Sequence, residues 1–302
     1  MAVSAKQVKE LRDRTGLGMM DCKRALEEAG GVIEAAIEQL RRKSALKAEK
    51  RAGRTAAEGL LGLRVSDDGR CAALVEVNIE TDFAARNEKF TAFVGSVLDA
   101  VFEHGGDTAS VAEAFAGERE TLIQEIGENI AVRRVARLDS EDGYIAGYLH
   151  NDRRKAAVVE LSGAASALAR DLAMHVTAHD PTPLVVKAAD LDAAVVDKER
   201  DIYRAQADAE AEADAAAGKK PKPPEILAKM VDGRVRKFLG EVSLVDQKFV
   251  KDASVKVGKL LGGNGVECRR FLRFEVGEGI AVEREDFAAE VAAQVEETAK
   301  SA

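Results

Sequence analysis

The chain contains a sentence written twice. Ala72-Ala73-Leu74-Val75-Glu76-Val77 returns as Ala156-Ala157-Val158-Val159-Glu160-Leu161, an offset of 84 positions. At that offset Gly59 meets Gly143, and Ala85-Arg86-Asn87 meets Ala169-Arg170-Asp171. Each copy reads strand, polar turn, strand, helix, with Asp67-Asp68-Gly69-Arg70 and Asn151-Asp152-Arg153-Arg154 as the turns. A repeat of this kind predicts two related α+β halves, each a small antiparallel sheet backed by helices. Further strands are expected at Ile130–Val135 and Phe271–Val276.

Ahead of the repeat, residues 1 to about 54 read as three short helices. Ser4 and Gln7 make a capping-box pattern before Val8 and Leu11. Thr15-Gly16-Leu17-Gly18 breaks that helix, and a second begins near Met20 and stops at Gly30-Gly31. The third sets Ile33, Ala36, Ile37 and Leu40 on one face. Three helices in so short a span predict a small bundle similar to the ubiquitin-associated (UBA-like) type, an analogy of fold that carries no implication of ubiquitin binding. The third helix runs into Arg41, Arg42, Lys43, Lys47, Lys50, Arg51 and Arg54, with Glu49 the only acid among them. Aromatic side chains for base stacking are missing there, which favours a solvated face or an acidic partner over nucleic acid.

The second half is interrupted. Leu191, Val195, Ile202, Ala205, Ala209, Ala213 and Ala216 form a heptad-like, alanine-rich seam, and Leu227, Val231, Val235 and Phe238 form a returning one. Gly218 and the prolines Pro221, Pro223 and Pro224 break the chain between them. The expectation is an inserted antiparallel coiled-coil hairpin, a reach for contacts rather than a place for a buried active site. A terminal helix with Phe287, Val291 and Val295 is expected over 284–299. The organisation read from these signals is a bundle at 1–56, core halves at 57–140 and at 141–188 with 242–277, an arm at 189–241 and a C-terminal helical module at 278–302.

Bulk properties narrow the function. A length of 302 residues allows two or more cores. A net charge of −8 weighs against a nucleic-acid duplex as partner for the whole molecule. Cys22, Cys71 and Cys268 are scattered and odd in number, which suits a reducing cytosol better than a disulfide framework. No run approaches a membrane span, and Met1 to Glu10 lacks the apolar core of a signal peptide, so a cytoplasmic protein is expected.

Catalytic signatures are missing. His175 and His179 stand four apart on a helix pattern, but Val176 replaces the glutamate of a His-Glu-x-x-His site and no third ligand is identifiable. Gly16-Leu17-Gly18 and Gly277-Glu278-Gly279 are partial dinucleotide fingerprints only. Gly258-Lys259 is followed by Leu260, so a P-loop hydroxyl is absent. No cofactor, metal or covalent chemistry is expected. What stands out instead is the end of the first repeated strand, where Thr81-Asp82-Phe83-Ala84 follows Val77-Asn78-Ile79-Glu80 at once. Such a pair can present a carboxylate and a ring together; its bland reading has Asp82 capping the next helix and Phe83 packing beneath it with Phe90.

The Thr81-Asp82-Phe83 motif resembles the signature of the elongation factor Ts family, and the resemblance spans essentially the whole chain. Leu11 to Leu26, through Gly16-Leu17-Gly18-Met19-Met20-Asp21-Cys22, looks like the family's N-terminal signature. Ile126-Gly127-Glu128-Asn129-Ile130, Ala173-Met174-His175-Val176 and Gly277-Glu278-Gly279-Ile280 also fit. Departures are Ala84, where the family usually has valine, and an arm of its own length with an Ala/Asp-rich first helix.

The resemblance implies a guanine-nucleotide exchange factor, not an enzyme, that binds elongation factor Tu and promotes GDP release. It implies docking on the partner's nucleotide-binding domain through Arg12, Met19 and Met20. It places Thr81, Asp82, Phe83 and Ala84 at the partner's magnesium site, with further contacts from Ile126, Gly127 and His175. A homodimer or a 2:2 complex is left open; no direct nucleic acid and no membrane are expected. Two other classes compete: a metal-dependent hydrolase built on His175 and His179, and a ubiquitin-like-binding scaffold using only the bundle.

Overall fold

The first three helices begin and end where the sequence punctuates them, in a computed structural model that describes residues 3–219 and 222–281. Helix α1 (Ala5–Thr15) starts with both hydrogen bonds of the Ser4/Gln7 capping box and ends at Gly16, whose φ of 71° is left-handed. Helix α2 (Met19–Glu28) follows Gly18, and Gly30 and Gly31 turn the chain into α3 (Ile33–Arg51). Val8, Leu11, Leu17, Cys22, Ala25, Leu26, Ala36 and Leu40 close a core of their own. Helix α3 then leaves it. One turn on, Ser44 donates to Gln124, and Ala48 joins the core of the next unit.

Strands β1 (Glu58–Val65) and β2 (Cys71–Ile79) form an antiparallel hairpin, followed by α4 (Asp82–Ala85), α5 (Glu88–His104), α6 (Thr108–Ala114) and α7 (Ala116–Ile126). Strand β3 (Ile130–Asp139) returns beside β2, so the sheet order is β1-β2-β3. The second half repeats this with β4 (Tyr144–Leu149), β5 (Lys155–Leu161) and α8 (Ser166–Ala178). Its third strand waits until α9 (Ala193–Ala216), α10 (Pro224–Val242), the hairpin β6 (Lys248–Phe249) and β7 (Asp252–Lys256), and α11 (Val257–Gly263) have passed. Strand β8 (Cys268–Glu275) then completes the order β4-β5-β8.

Both central strands are buried on two faces, which is why each reads as a continuous apolar run rather than an alternation. Ala73, Val75, Val77 and Ile79 pack on α5 residues Phe90, Val94 and Val97, while Ala72 and Leu74 face Ala156 and Val158 of the other sheet. The layers run helix, sheet, sheet, helix, with Leu172 and Val176 of α8 closing the far side.

The duplication holds at the level of hydrogen bonds. Leu61 pairs with Glu76 and Ile145 with Glu160, the same register at the same offset. The third strand bulges between Glu76 and Val77 in one sheet and between Glu160 and Leu161 in the other. Each bulge brings two consecutive arginines onto one buried glutamate: Arg133 and Arg134 on Glu76, Arg269 and Arg270 on Glu160. Each glutamate also reaches the opposite half. Glu76 accepts from the Gly277 N–H at 2.9 Å, and Glu160 accepts from Ser140 Oγ at 2.6 Å. The two turns are likewise exchanged, with Leu61 N–H donating to Arg153 O at 2.8 Å and Ile145 N–H donating to Gly69 O at 2.7 Å.

The arm corrects one sequence expectation. Helices α9 and α10 pack together, but the α9 face that meets α10 carries Val196, Tyr203 and Ala207. Val195 and Ile202, expected in the seam, are exposed. Alanine on both faces of α9 makes two stripes, and the neighbouring helix selects the one that includes the larger Tyr203. On α10 the expected Val231 and Val235 are buried. The helix expected over 284–299 lies outside the described residues.

Candidate functional site

The strand ladder around β2 ends at Ile79, which pairs with Glu58 on one side and Ile130 on the other. Beyond it the backbone of Glu80 and Thr81 has no strand partner, and buried or half-buried polar groups in that position need others. Two glutamates supply them reciprocally. Glu80 Oε1 accepts from the Asn129 N–H at 2.6 Å, while the Glu128 carboxylate accepts from Thr81 N–H at 2.9 Å and Thr81 Oγ1–H at 2.8 Å. Asn129 Nδ2 in turn donates to Arg54 O at 2.9 Å, and the Arg54 guanidinium lies 3.4 Å from Glu80. The end of α3, the end of β2 and the turn after α7 therefore meet at one point. Gly127 permits that turn by adopting φ of 90° directly after Ile126.

On this brace sits α4, a single turn. Its N-cap is Thr81, whose Oγ1 accepts from Ala84 N–H at 3.2 Å, so Asp82 occupies the first helical position instead of the cap. An acid there is favourable with the helix dipole, and Asp82 pairs with Arg86 one turn on at 3.0 Å. Phe83 does not pack beneath the helix. It is 81% exposed, the most exposed of the large apolar side chains among the described residues, while Phe90 alone fills the core position. Ala84 faces inward and packs against the core. The bland reading of this motif thus fails for both Asp82 and Phe83.

The N-terminal bundle reaches the same region. A side chain at Gly16 would collide with the Glu125 carboxylate on α7, which holds Lys89 at 2.5 Å. The bend between α1 and α2 therefore rests one turn from Ile126, Gly127 and Glu128. Just past that bend Met19 and Met20 are 53% and 65% exposed, and Arg12 is exposed on α1. Of the basic run, Arg42 pairs with Glu38, Lys43 with Glu28 and Arg54 with Glu80. Much of that charge braces the chain itself.

His175 does not join this cluster. It lies on α8 in the second half and is fully buried. Its surroundings fix its protonation. The Gln247 amide nitrogen donates to Pro181 O and Glu241 O, which leaves Gln247 Oε1 to accept from His175 Nε2–H at 3.0 Å. His175 Nδ1 accepts from the Val250 N–H at 3.1 Å. Burial lowers the imidazole pKa to about 4, against the favourable Gln247 bond, so the ring is neutral at physiological pH. Both ring nitrogens are engaged by protein groups, and neither is free for a metal. Among the described residues no group of three or more His, Cys, Asp or Glu side chains is arranged to hold one.

Sequence reasoning missed two things here. Glu128 and Glu80 were visible as letters, but nothing local says that they cross-brace a strand end. Val250, held by His175 and exposed beside the buried Phe249, presents an apolar surface at the tip of the β6–β7 hairpin. The apolar pair Phe249-Val250 between Lys248 and Lys251 is the one signal that could have shown it. No helix among the described residues is long and apolar enough to cross a membrane.

Two matching three-stranded sheets and a braced, exposed acid–aromatic turn at one strand end define the class, a duplicated α+β protein that offers a carboxylate and a ring to solvent together. The family model for "Elongation factor TS" matches residues 80–278. The chain is 52% identical to elongation factor Ts of Saccharophagus degradans over 297 residues, covering 98% of both chains. It is 50% identical to that of Hahella chejuensis over 296 residues, covering 97% of this chain and 99% of the relative. It is 47% identical to that of Idiomarina loihiensis over 307 residues, covering 99% and 100%. The chain belongs to the elongation factor Ts family of translation elongation factors.

Proposed function

We propose that the chain is the guanine-nucleotide exchange factor of elongation factor Tu, acting through Asp82 and Phe83 on the partner's magnesium site. The observation that carries this reading is Phe83 itself: an aromatic ring left in water on a turn that Thr81 anchors to Glu128. The ring wedges between helices of the partner's nucleotide-binding domain, and Asp82 acts beside it. Magnesium neutralises clustered phosphate charge, so displacing its ligands weakens GDP binding. GTP then enters the emptied site. Thr81 and Ala84 complete the motif at that site, and Ile126 and Gly127 supply further contacts with the partner.

The energetics require more than one contact. Linkage makes factor and nucleotide weaken each other by the same ratio. A thousandfold effect needs about 4 kcal/mol of differential binding. Burying one phenylalanine yields only about 1.5–3 kcal/mol. Other surfaces must hold the partner in its distorted state. Arg12, Met19 and Met20 provide one, on a UBA-like docking module formed by α1 to α3. The second half provides another, where the buried His175 contributes through the Val250 hairpin that it orders. The α9–α10 arm is read as a coiled-coil reach for a further contact, including one with a second copy in a homodimer or a 2:2 complex. The division into bundle, two core halves, arm and C-terminal module follows the same logic of separate contacts. The setting is the cytoplasm, with no cofactor, membrane or direct nucleic acid required.

Stopped-flow release of fluorescent GDP from elongation factor Tu tests the reading. Phe83→Ala is expected to abolish most of the acceleration at saturating factor while leaving the melting temperature unchanged, because an exposed ring contributes little to the fold. Met19→Ala with Met20→Ala is expected to raise the half-saturating concentration instead. Release rates for Phe83→Ala equal to the parent would sink the wedge.

A further inference from the structure

We infer that Glu128 is a positioning residue for exchange: it fixes the angle at which Phe83 and Asp82 leave the protein, without touching the partner's nucleotide. The inference rests on the exchange reading above. Helix α4 has four residues, far fewer than a helix needs to persist in water by itself. Phe83, being exposed, receives no packing that would orient it. Asp82 is tied only to Arg86 in its own turn, a pair whose members are both substantially exposed. Ala84 and Ala85 seat the inner side of the turn on the core, and Thr81, which precedes it, sets the angle at which it leaves the strand. Thr81 is gripped twice by one carboxylate, at its N–H and its hydroxyl, 47 positions away in sequence. A carboxylate accepting two such bonds is stronger and more directional than a neutral acceptor.

The hydroxyl has a second duty, since Thr81 Oγ1 also accepts from Ala84 N–H. Glu128, Thr81 and the α4 backbone form one chain of hydrogen bonds that ends on the residue after Phe83. Glu128 is itself fixed, because it lies between Gly127 in its left-handed turn and Asn129, which is held by Glu80 and Arg54. A loosened wedge would still reach its partner but would spend less time at the productive angle, which lowers the turnover step more than the binding step.

The test compares saturating rate with half-saturating concentration in the GDP-release assay, using the full chain and elongation factor Tu. Glu128→Ala is expected to lower the saturating rate by about tenfold, the scale of a lost charge-assisted pair. Its half-saturating concentration should stay within about twofold of the parent. Glu128→Gln keeps one acceptor and should recover most of the rate. Thr81→Val removes the hydroxyl and should add little to Glu128→Ala in a double-mutant cycle. Should Glu128→Ala fail to fold, Thr81→Val against Thr81→Ser gives the same comparison. A parental saturating rate, or a change confined to half-saturation, overturns the inference. Phe83→Ala measured in parallel separates the two claims: if it is also parental, the exchange reading has failed, whereas a crippled Phe83→Ala beside a parental Glu128→Ala removes only the positioning role.

Discussion

The two halves of the core agree wherever they hold each other and differ wherever they meet solvent. Register, bulge position, buried glutamate and exchanged turn recur at the offset of 84, and the arginine pair recurs at 136 because the arm intervenes before β8. After β2, however, the chain passes into the braced turn bearing Asp82 and Phe83. At the equivalent place after β5 stand Ser166 and Ala167, the first residues of the long α8. His175 is equally one-sided, since its counterpart is Thr91 on α5. A packed pseudo-symmetric interface constrains both copies through shared contacts, whereas an exposed strand end constrains neither, so chemistry accumulates at the ends.

The buried glutamates give the largest expected effect. Glu76 is fully buried and Glu160 is 4% exposed, each between two guanidinium groups. Burial opposes the charge on Glu160, but the Ser140 hydroxyl and the arginines outweigh it, and its carboxyl titrates below the ordinary value. Glu76→Ala and Glu160→Ala should each cost about 3 kcal/mol or more in urea denaturation, because each removes several charge-assisted hydrogen bonds at once, even though Arg134 keeps Glu278 and Arg269 keeps Asp142. If only one of the two does so, the halves are not mechanically equivalent.

Next comes a pH effect confined to the second half. The folded pKa of His175, about 4, lies below the ordinary value. Its contribution is therefore complete above about pH 6.5, is lost as pH falls from there, and levels off below the folded value; it amounts to about 3 kcal/mol in all. Protonation also puts a donor on Nδ1 against the Val250 N–H. Hydrogen exchange between pH 6.5 and 4 should loosen the β6–β7 hairpin before the first half, and His175→Gln should remove that part of the slope. Equal loosening of both halves would contradict the assignment.

The two turns offer smaller tests. Gly69 and Arg153 are equivalent, both with positive φ, at 66° and 57°. A Cβ at Gly69 would strike the Tyr144 ring, so Gly69→Ala should cost about 1–3 kcal/mol. Arg153→Gly relieves a left-handed arginine but loses the bond from Nε to Leu61 O at 3.1 Å. The two effects nearly cancel, and thermal melting should shift by less than about 1 kcal/mol equivalent.

Much of this fold was legible because its signals are local. The repeat fixed the strand pairs, glycines marked the breaks between α1, α2 and α3, and Ser4 with Gln7 announced the first cap. The turn at Asp82 and Phe83 was legible as a site candidate, but its geometry was not. Thr81 proved to be the cap and the ring pointed outward, in a turn whose root is held by Glu128 and Asn129 from the end of α7, 47 and more positions away.

By itself the sequence determined the first three helices, the strands of the repeat and that the core is built twice, since periodicity and turn chemistry act within a few residues. Only the tertiary structure decided which alanine stripe of α9 is buried, that His175 is enclosed and neutral, and that Gly277 closes on Glu76 across 201 positions. Those outcomes depend on which neighbour arrives at each face and on how each buried polar group finds a partner, and distant segments settle both.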